Sequence, residues 1–214
     1  MLSYTWQEIS LLLLGFAAQG LFGLRILIQW YFAEKTKSTD APLSFWYVSL
    51  MAALLFLLYG VLRMDWVIIV GQLITYFIYI RNLQYLNKWS GLNWVSRTML
   101  LTIPIFLLLL PISKTNEASI GILGWSAMTV LGFIGQGLLN ARFVYQWIQL
   151  EKNKSSALSK WFWIISIAGS LLLLAYGFNH PTRGFDPVLI LAQTFGLAVY
   201  LRNLFIINRL QSAT

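Results

Sequence analysis

The sequence predicts an all-α integral membrane protein in which seven transmembrane helices form a 3+1+3 set of parallel repeats. Three observations carry this expectation. The chain is 58% hydrophobic and only 10% charged, whereas soluble domains carry about 25% charged residues. Apolar segments near the roughly 20 residues that span a bilayer recur along the chain. One polar pattern also occurs twice, and a duplicated unit controls the reading of the fold.

The first copy reads Gln19, Arg25, Gln29, Trp30, Glu34, Lys35, Lys37, Ser38, then Phe45, Trp46, Ser49, Tyr59, Gly60. The second reads Gln136, Arg142, Gln146, Trp147, Glu151, Lys152, Lys154, Ser155, then Phe162, Trp163, Ser166, Tyr176, Gly177, each 117 positions later. Beyond Gly60 the offset is 121, pairing Asp65, Gln72, Tyr79, Arg81, Asn82 with Asp186, Gln193, Tyr200, Arg202, Asn203. The second copy therefore holds four extra residues within 179–185. Coincidence of apolar residues would mean little in so apolar a chain; coincidence of Gln, Arg, Glu, Asp and Asn means more.

The apolar segments predict helices near Ile9–Tyr31, Ser44–Leu62, Trp66–Leu83, Thr98–Ile112, Ile120–Ile148, Trp161–Phe178 and Pro187–Ile207. The fourth is short and holds Pro104. The expected division is a first three-helix repeat over 1–90, a linker helix over 91–115 and a second repeat over 116–214. Equivalent helices are then four crossings apart, so the copies point the same way across the membrane. Ten Lys and Arg fall on the side of Lys35, Arg81, Lys152 and Arg202, and three on the side of Arg63, Lys114 and Arg183. The positive-inside rule makes the first side cytoplasmic, with the N-terminus outside and the C-terminus inside. No basic residue precedes Arg25, so the first segment does not read as a signal peptide.

Helical periodicity places Gln19, Arg25 and Gln29 on one face of the first helix, as it does Gln136, Arg142 and Gln146 in the second copy. An arginine at the bilayer centre costs about 2.5–3.5 kcal/mol. Such a face looks into the bundle, into water or toward a lipid phosphate, unless the side chain snorkels to the interface. On the third helix of each copy, Gln72, Tyr79 and Asn82, with Gln193, Tyr200 and Asn203, share a face. These residues line a cavity, brace neighbouring helices through hydrogen bonds, or do both. The Glu34-Lys35 and Glu151-Lys152 pairs read either as solvated loop residues or as a phosphate-binding cap. Phe45, Trp46, Trp161 and Trp163 read chiefly as interfacial anchors. Asp65 and Asp186 lie at helix ends, where proton coupling is one conceivable use.

Other function classes are disfavoured. The chain has no cysteine and a single histidine, His180, which excludes thiolate chemistry and a multi-histidine metal site; no metal or cofactor is expected. No nucleophile–His–acid set, phosphate-binding glycine loop or paired carboxylates on one helix is present, so no catalytic residue is assigned. The net charge of +8 is accounted for by membrane orientation rather than nucleic acid.

The segments AQGLFGLRILIQWYFAEK and RMDWVIIVGQLITYFIYIRNL, with GQGLLNARFVYQWIQLEK and AQTFGLAVYLRNL in the second copy, resemble the lipid-A-disaccharide synthase N-terminal domain family. Together they cover most of the chain outside the linker and termini. The second copy departs at Ala192, where the first has Gly71, and at Ser159, where the first has Pro42. The three-helix repeat is also similar to SWEET and PQ-loop units. The resemblance implies a bacterial inner-membrane protein of lipid A or lipid-linked sugar metabolism, with a glycosyltransferase as a candidate partner. The chain has no room for soluble sugar-nucleotide domains, so synthase activity of its own is not expected. The expectation is a protein that binds a phospholipid or polyprenyl-phosphate-linked sugar and moves it between leaflets, or presents it to an enzyme. Arg25, Arg142, Gln29 and Gln146 would hold the head group. A transporter of small soluble sugars and a non-transporting anchor are the alternatives.

Overall fold

The computed structural model describes residues 5–36, 42–110, 126–153 and 159–211. The regular elements among them are helices: α1 Trp6–Thr36, α2 Leu43–Arg63, α3 Trp66–Tyr85, α4 Trp94–Leu109, α5 Ala127–Asn153, α6 Lys160–Phe178 and α7 Pro187–Gln211. They fall into two compact units, Met1–Gly121 with α1 to α4 and Ile122–Thr214 with α5 to α7. Six helices are long and apolar enough to cross a membrane. The exception is α4, whose 16 residues reach about 24 Å against a hydrocarbon core of about 30 Å. The expectation of seven full spans becomes six long helices and one shorter apolar helix. Residues 111–125, which the fourth and fifth helices were expected to enter, lie outside the described residues.

Local capping sets two starts earlier than the apolar runs suggest. Thr5 Oγ1 accepts the Glu8 N–H at 3.3 Å while Glu8 Oε2 accepts the Thr5 N–H at 2.8 Å, a reciprocal capping box that opens α1. The Asn93 side chain accepts the Ser96 N–H at 2.7 Å and opens α4.

The first unit is built on α2, against which α1 and α3 both pack. Its core joins Leu50 and Ala53 of α2 to Tyr76, Tyr79, Ile80 and Leu83 of α3. In the second unit, α6 has the same place between α5 and α7. Gly135 of α5 and Gly169 of α6 meet so closely that a Cβ on either would lie 2.9 Å from the other's carbonyl oxygen. The equivalent positions in the first unit are Ala18 and Ala52, both fully buried. Small residues at a helix crossing let backbones approach, which is a main source of packing energy in a lipid environment.

The α2–α3 and α6–α7 turns share one closing device. Asp65 N–H donates to Gly60 O at 2.9 Å, and Asp186 N–H donates to Gly177 O at 2.8 Å. A Cβ on Gly60 would reach Ile68 Cγ2 at 2.8 Å, and one on Gly177 would reach Ile190 Cγ1 at 3.0 Å. Each aspartate then caps the next helix: Asp65 Oδ1 accepts from Ile68 N at 3.1 Å, and Asp186 Oδ1 accepts from Val188 N and Leu189 N, both at 3.1 Å. The two acids considered for proton coupling thus serve as buried helix caps. The four extra residues of the second copy loop out between Gly177 and Asp186 without disturbing that bond. Their turn is held by Arg183 Nη1 donating to Asp186 Oδ2 at 3.1 Å, and by buried His180, whose Nε2 lies 3.2 Å from Tyr176 Oη.

One feature has no counterpart in the second unit. Pro104 is buried in α4 and has no N–H to offer the Leu100 carbonyl one turn earlier. Tyr76 of α3, fully buried, donates its hydroxyl to that carbonyl at 2.8 Å. In the second copy the position of Tyr76 is held by Leu197. A carbonyl freed by proline inside an apolar helix needs such a donor, so Tyr76 ties α4 to α3 within the first unit.

Met64, at the α2–α3 turn, has φ 54° and donates its N–H to Val61 O at 3.1 Å. With the Asp65–Gly60 bond this makes a Schellman turn, whose left-handed residue is usually glycine. The left-handed conformation costs a non-glycine residue roughly 1–2 kcal/mol, partly offset by the backbone entropy of glycine, about 0.5–1 kcal/mol. Met64→Gly is expected to stabilise the protein by about 0.5–1 kcal/mol, measured as a higher unfolding midpoint in detergent; a lower midpoint would contradict this account.

Candidate functional site: an arginine in an aromatic box, twice

Arg25 lies in α1, about 16 Å of helix before its end at Thr36. Its guanidinium is half-buried and turns back onto α2 and α3. Nη1 donates to the Tyr79 hydroxyl of α3 and, at 3.5 Å, to Ser49 Oγ of α2. Ser49 is set as an acceptor because its own hydroxyl donates to Phe45 O at 2.6 Å. Three rings surround the cation: Cζ lies 4.9 Å from the Phe22 centroid, 5.5 Å from Phe45 and 5.6 Å from Tyr79. Trp46 packs edge-on against both Phe45, at 5.0 Å, and Tyr79, at 6.2 Å.

The second unit repeats the arrangement from α5, α6 and α7. Arg142 Nη1 donates to Ser166 Oγ at 3.1 Å, and Ser166 donates to Phe162 O at 2.6 Å. Arg142 Cζ lies 4.9 Å from the Phe143 centroid, 5.6 Å from Phe162 and 4.9 Å from Tyr200. Trp163 packs on Phe162 at 5.1 Å and on Tyr200 at 6.1 Å. The third ring differs: Phe22 has Leu139 as its counterpart, and Phe143 stands in its place one turn along the helix.

Neither arginine has a carboxylate within salt-bridge distance among the described residues. Each cation is held by hydroxyl oxygens and aromatic faces, which attract it by roughly 0.5–2 kcal/mol per ring depending on desolvation. Such a box lowers the cost of the charge without neutralising it, so each unit keeps a local positive charge in apolar surroundings.

The other residues singled out from sequence are more dispersed. Gln19, Gln29 and Gln136 are half-buried and Gln146 is exposed; none bonds to either arginine among the described residues. Glu34 and Lys35 are exposed in the last turn of α1. The side chains of Glu151 and Lys152, and residues Lys37, Ser38, Lys154 and Ser155, lie outside the described part. Gln72 is buried, with Oε1 lacking a partner among the described residues. Its counterpart Gln193 accepts from Ser170 Oγ at 2.9 Å and so braces α7 against α6. Asn82 and Asn203 spend an amide proton on their own helices, donating to Ile78 O and Val199 O at 2.8 Å. Tyr79 and Tyr200 do stand at the arginines. Phe45, Trp46 and Ser49, with Phe162, Trp163 and Ser166, also belong to the boxes, although the sequence placed none of them in the site. They recur at the same offset as the arginines, and that recurrence was the available signal.

The two boxes differ in one measurable respect. Tyr79→Phe removes a hydroxyl that accepts from Arg25, whereas no hydrogen bond joins Tyr200 to Arg142 among the described residues. A hydrogen bond to a charged group contributes about 1.5–3 kcal/mol. Tyr79→Phe should lower stability by about that amount and Tyr200→Phe by less than about 0.5 kcal/mol, compared by unfolding midpoint in one detergent. Equal losses would show that the hydroxyl is not what holds Arg25.

Comparison with known proteins adds to this geometry. The chain is 30% identical to a lipid-A-disaccharide synthase of Chlamydia pneumoniae over 213 residues, covering 94% of this chain and 34% of that protein. It is 31% identical to the enzyme of the same name from Chlamydia trachomatis serovar D over 219 residues, covering 95% and 35%. The chain thus spans about a third of the length of the curated relatives it matches. No solved structure matches it. The family described as the lipid A biosynthesis N-terminal domain matches twice, over residues 14–84 and 131–205. Each stretch holds one arginine box, and together they cover well over half of the sequence: the chain is a helical membrane protein that belongs to the lipid A biosynthesis N-terminal domain family.

Proposed function

We propose that this protein binds the phosphate-bearing head group of a phospholipid or polyprenyl-phosphate-linked sugar in the bacterial inner membrane. It then moves that lipid between leaflets or presents it to a glycosyltransferase. The observation that carries the reading is the pair of equivalent arginines, each lodged among rings and hydroxyls with no carboxylate to neutralise it among the described residues. An anion entering either box would meet a cation already positioned, in surroundings where Coulomb attraction is stronger than in water. Family membership supports lipid A metabolism as the setting. Lipid binding, rather than glycosyl transfer, is assigned to the region shared with the synthases. The presenting role is favoured by that region's being about a third of their length.

Arg25→Ala and Arg142→Ala variants that insert normally are expected to lose most retention of lipid-linked sugar, seen by mass spectrometry of lipids carried through purification. Retention and movement equal to wild type would defeat the reading.

The 3+1+3 parallel arrangement, with the N-terminus outside and the C-terminus cytoplasmic, belongs to the same proposal and requires α4 with its flanking residues to cross the membrane. The chain has no native cysteine, so single cysteines can report sidedness. Lys35→Cys and Lys152→Cys should both be labelled from the cytoplasmic side by a membrane-impermeant maleimide. Labelling from opposite sides would refute parallel copies.

A further inference from the structure

Of the buried donors that lack a hydrogen-bond partner among the described residues, two recur at equivalent positions in both units. In the first unit they are Arg25 Nε and Trp46 Nε1; in the second they are Arg142 Nε and Trp163 Nε1. Each guanidinium and its indole share two ring neighbours. Arg25 and Trp46 both lie against Phe45 and Tyr79, and Arg142 and Trp163 both lie against Phe162 and Tyr200. A buried donor left unsatisfied costs about 1–3 kcal/mol, and more for a charged group. One such atom is unremarkable, but the same pair orphaned twice, at duplicated positions 117 apart, is a feature of the repeated unit.

An indole N–H can only donate, and so can a guanidinium. A partner for either donor must therefore be an acceptor, and beside a cation a negatively charged acceptor is favoured. A water molecule could accept from both donors but would leave the charge uncompensated. A phosphate monoester or diester supplies acceptors and charge together.

All of these residues lie within one unit: Arg25, Phe45, Trp46, Ser49 and Tyr79 in the first, Arg142, Phe162, Trp163, Ser166 and Tyr200 in the second. We propose that each unit holds a complete phosphate-oxyanion site with an indole–guanidinium donor pair, so that one chain binds two phosphate groups rather than sharing one between its halves. Trp46 and Trp163 are specificity-determining binding residues in this scheme, not interfacial anchors. This rests on the lipid-binding reading above and adds the stoichiometry and the second donor.

The test is native mass spectrometry of the full chain in maltoside micelles, titrated with dioleoyl phosphatidic acid and, separately, with inorganic phosphate. Wild type should saturate at two phosphatidic acid molecules. Trp46→Phe and Trp163→Phe, which keep a ring but lose the N–H, should each weaken one of the two by about tenfold or more. Arg25→Lys, which keeps the charge but loses Nε, should do the same at the first site, and its correct folding is checked by an unchanged second site. Displacement of lipid by inorganic phosphate would assign recognition to the oxyanion alone, and its failure to displace would assign it to a head group held by its chains; both support the site. Saturation at one lipid, or two lipids bound equally well by the Trp variants, would overturn this inference while leaving the arginine reading standing. No lipid bound by wild type would sink the reading itself.

Discussion

A guanidinium within an apolar helix must be held by whatever the neighbouring helices offer, and here they offer rings and hydroxyls. That constraint accounts for much of each unit. Ser49 and Ser166 must bond back to their own helix so that their oxygens face the arginine. Phe45 and Phe162 must precede them by one turn to present a π-face. Tyr79 and Tyr200 must stand at the matching depth on the third helix. In the first unit the guanidinium joins α1, α2 and α3, since one nitrogen reaches both α2 and α3 from α1. The charge is thus both a brace and an unspent electrostatic resource, and the two roles use different nitrogens: Nη1 braces, while Nε is left buried without a partner among the described residues.

Close packing is what puts the box at a defined depth. Glycines at Gly135 and Gly169 bring the α5 and α6 backbones together, and Gly60 and Gly177 let the next helix fold back tightly. The bond from Asp65 to Gly60, repeated from Asp186 to Gly177, holds that turn in both units. Four additional residues are absorbed outside it, so the insertion changes a loop and leaves the register of Tyr200 against Arg142 intact. An insertion within α7 would instead rotate every following residue by about 100° per position and carry Tyr200 off the cation.

The units part company at α4. Pro104 leaves a carbonyl that Tyr76 satisfies, and α4 with its leucines covers part of α2 and α3. In α3 residues are buried as far along as Leu83, whereas in α7 those beyond Leu189 are half-buried or exposed. The two units thus share an arginine box, while their third helices differ in what lies beside them.

The sequence by itself determined the helical class, the duplication and the two arginines, because apolar run length and recurrence of polar residue types are properties of the linear chain. Tyr79 and Tyr200 were legible for the same reason. Which residues meet is settled by packing. Periodicity put Gln19 and Gln29 on the arginine's face, yet the side chain of Arg25 swings away to groups on α2 and α3. Phe45 and Trp46 read as interfacial anchors, and Ser49 only as part of the repeat, whereas the packing of α1 brings Arg25 against Phe45 and Ser49. Asp65 and Asp186, read as possible proton carriers, became caps once the turn geometry placed helix N–H groups on their oxygens. A charge's partner is chosen by interhelical distance and side-chain reach, and neither is encoded in the spacing along one helix.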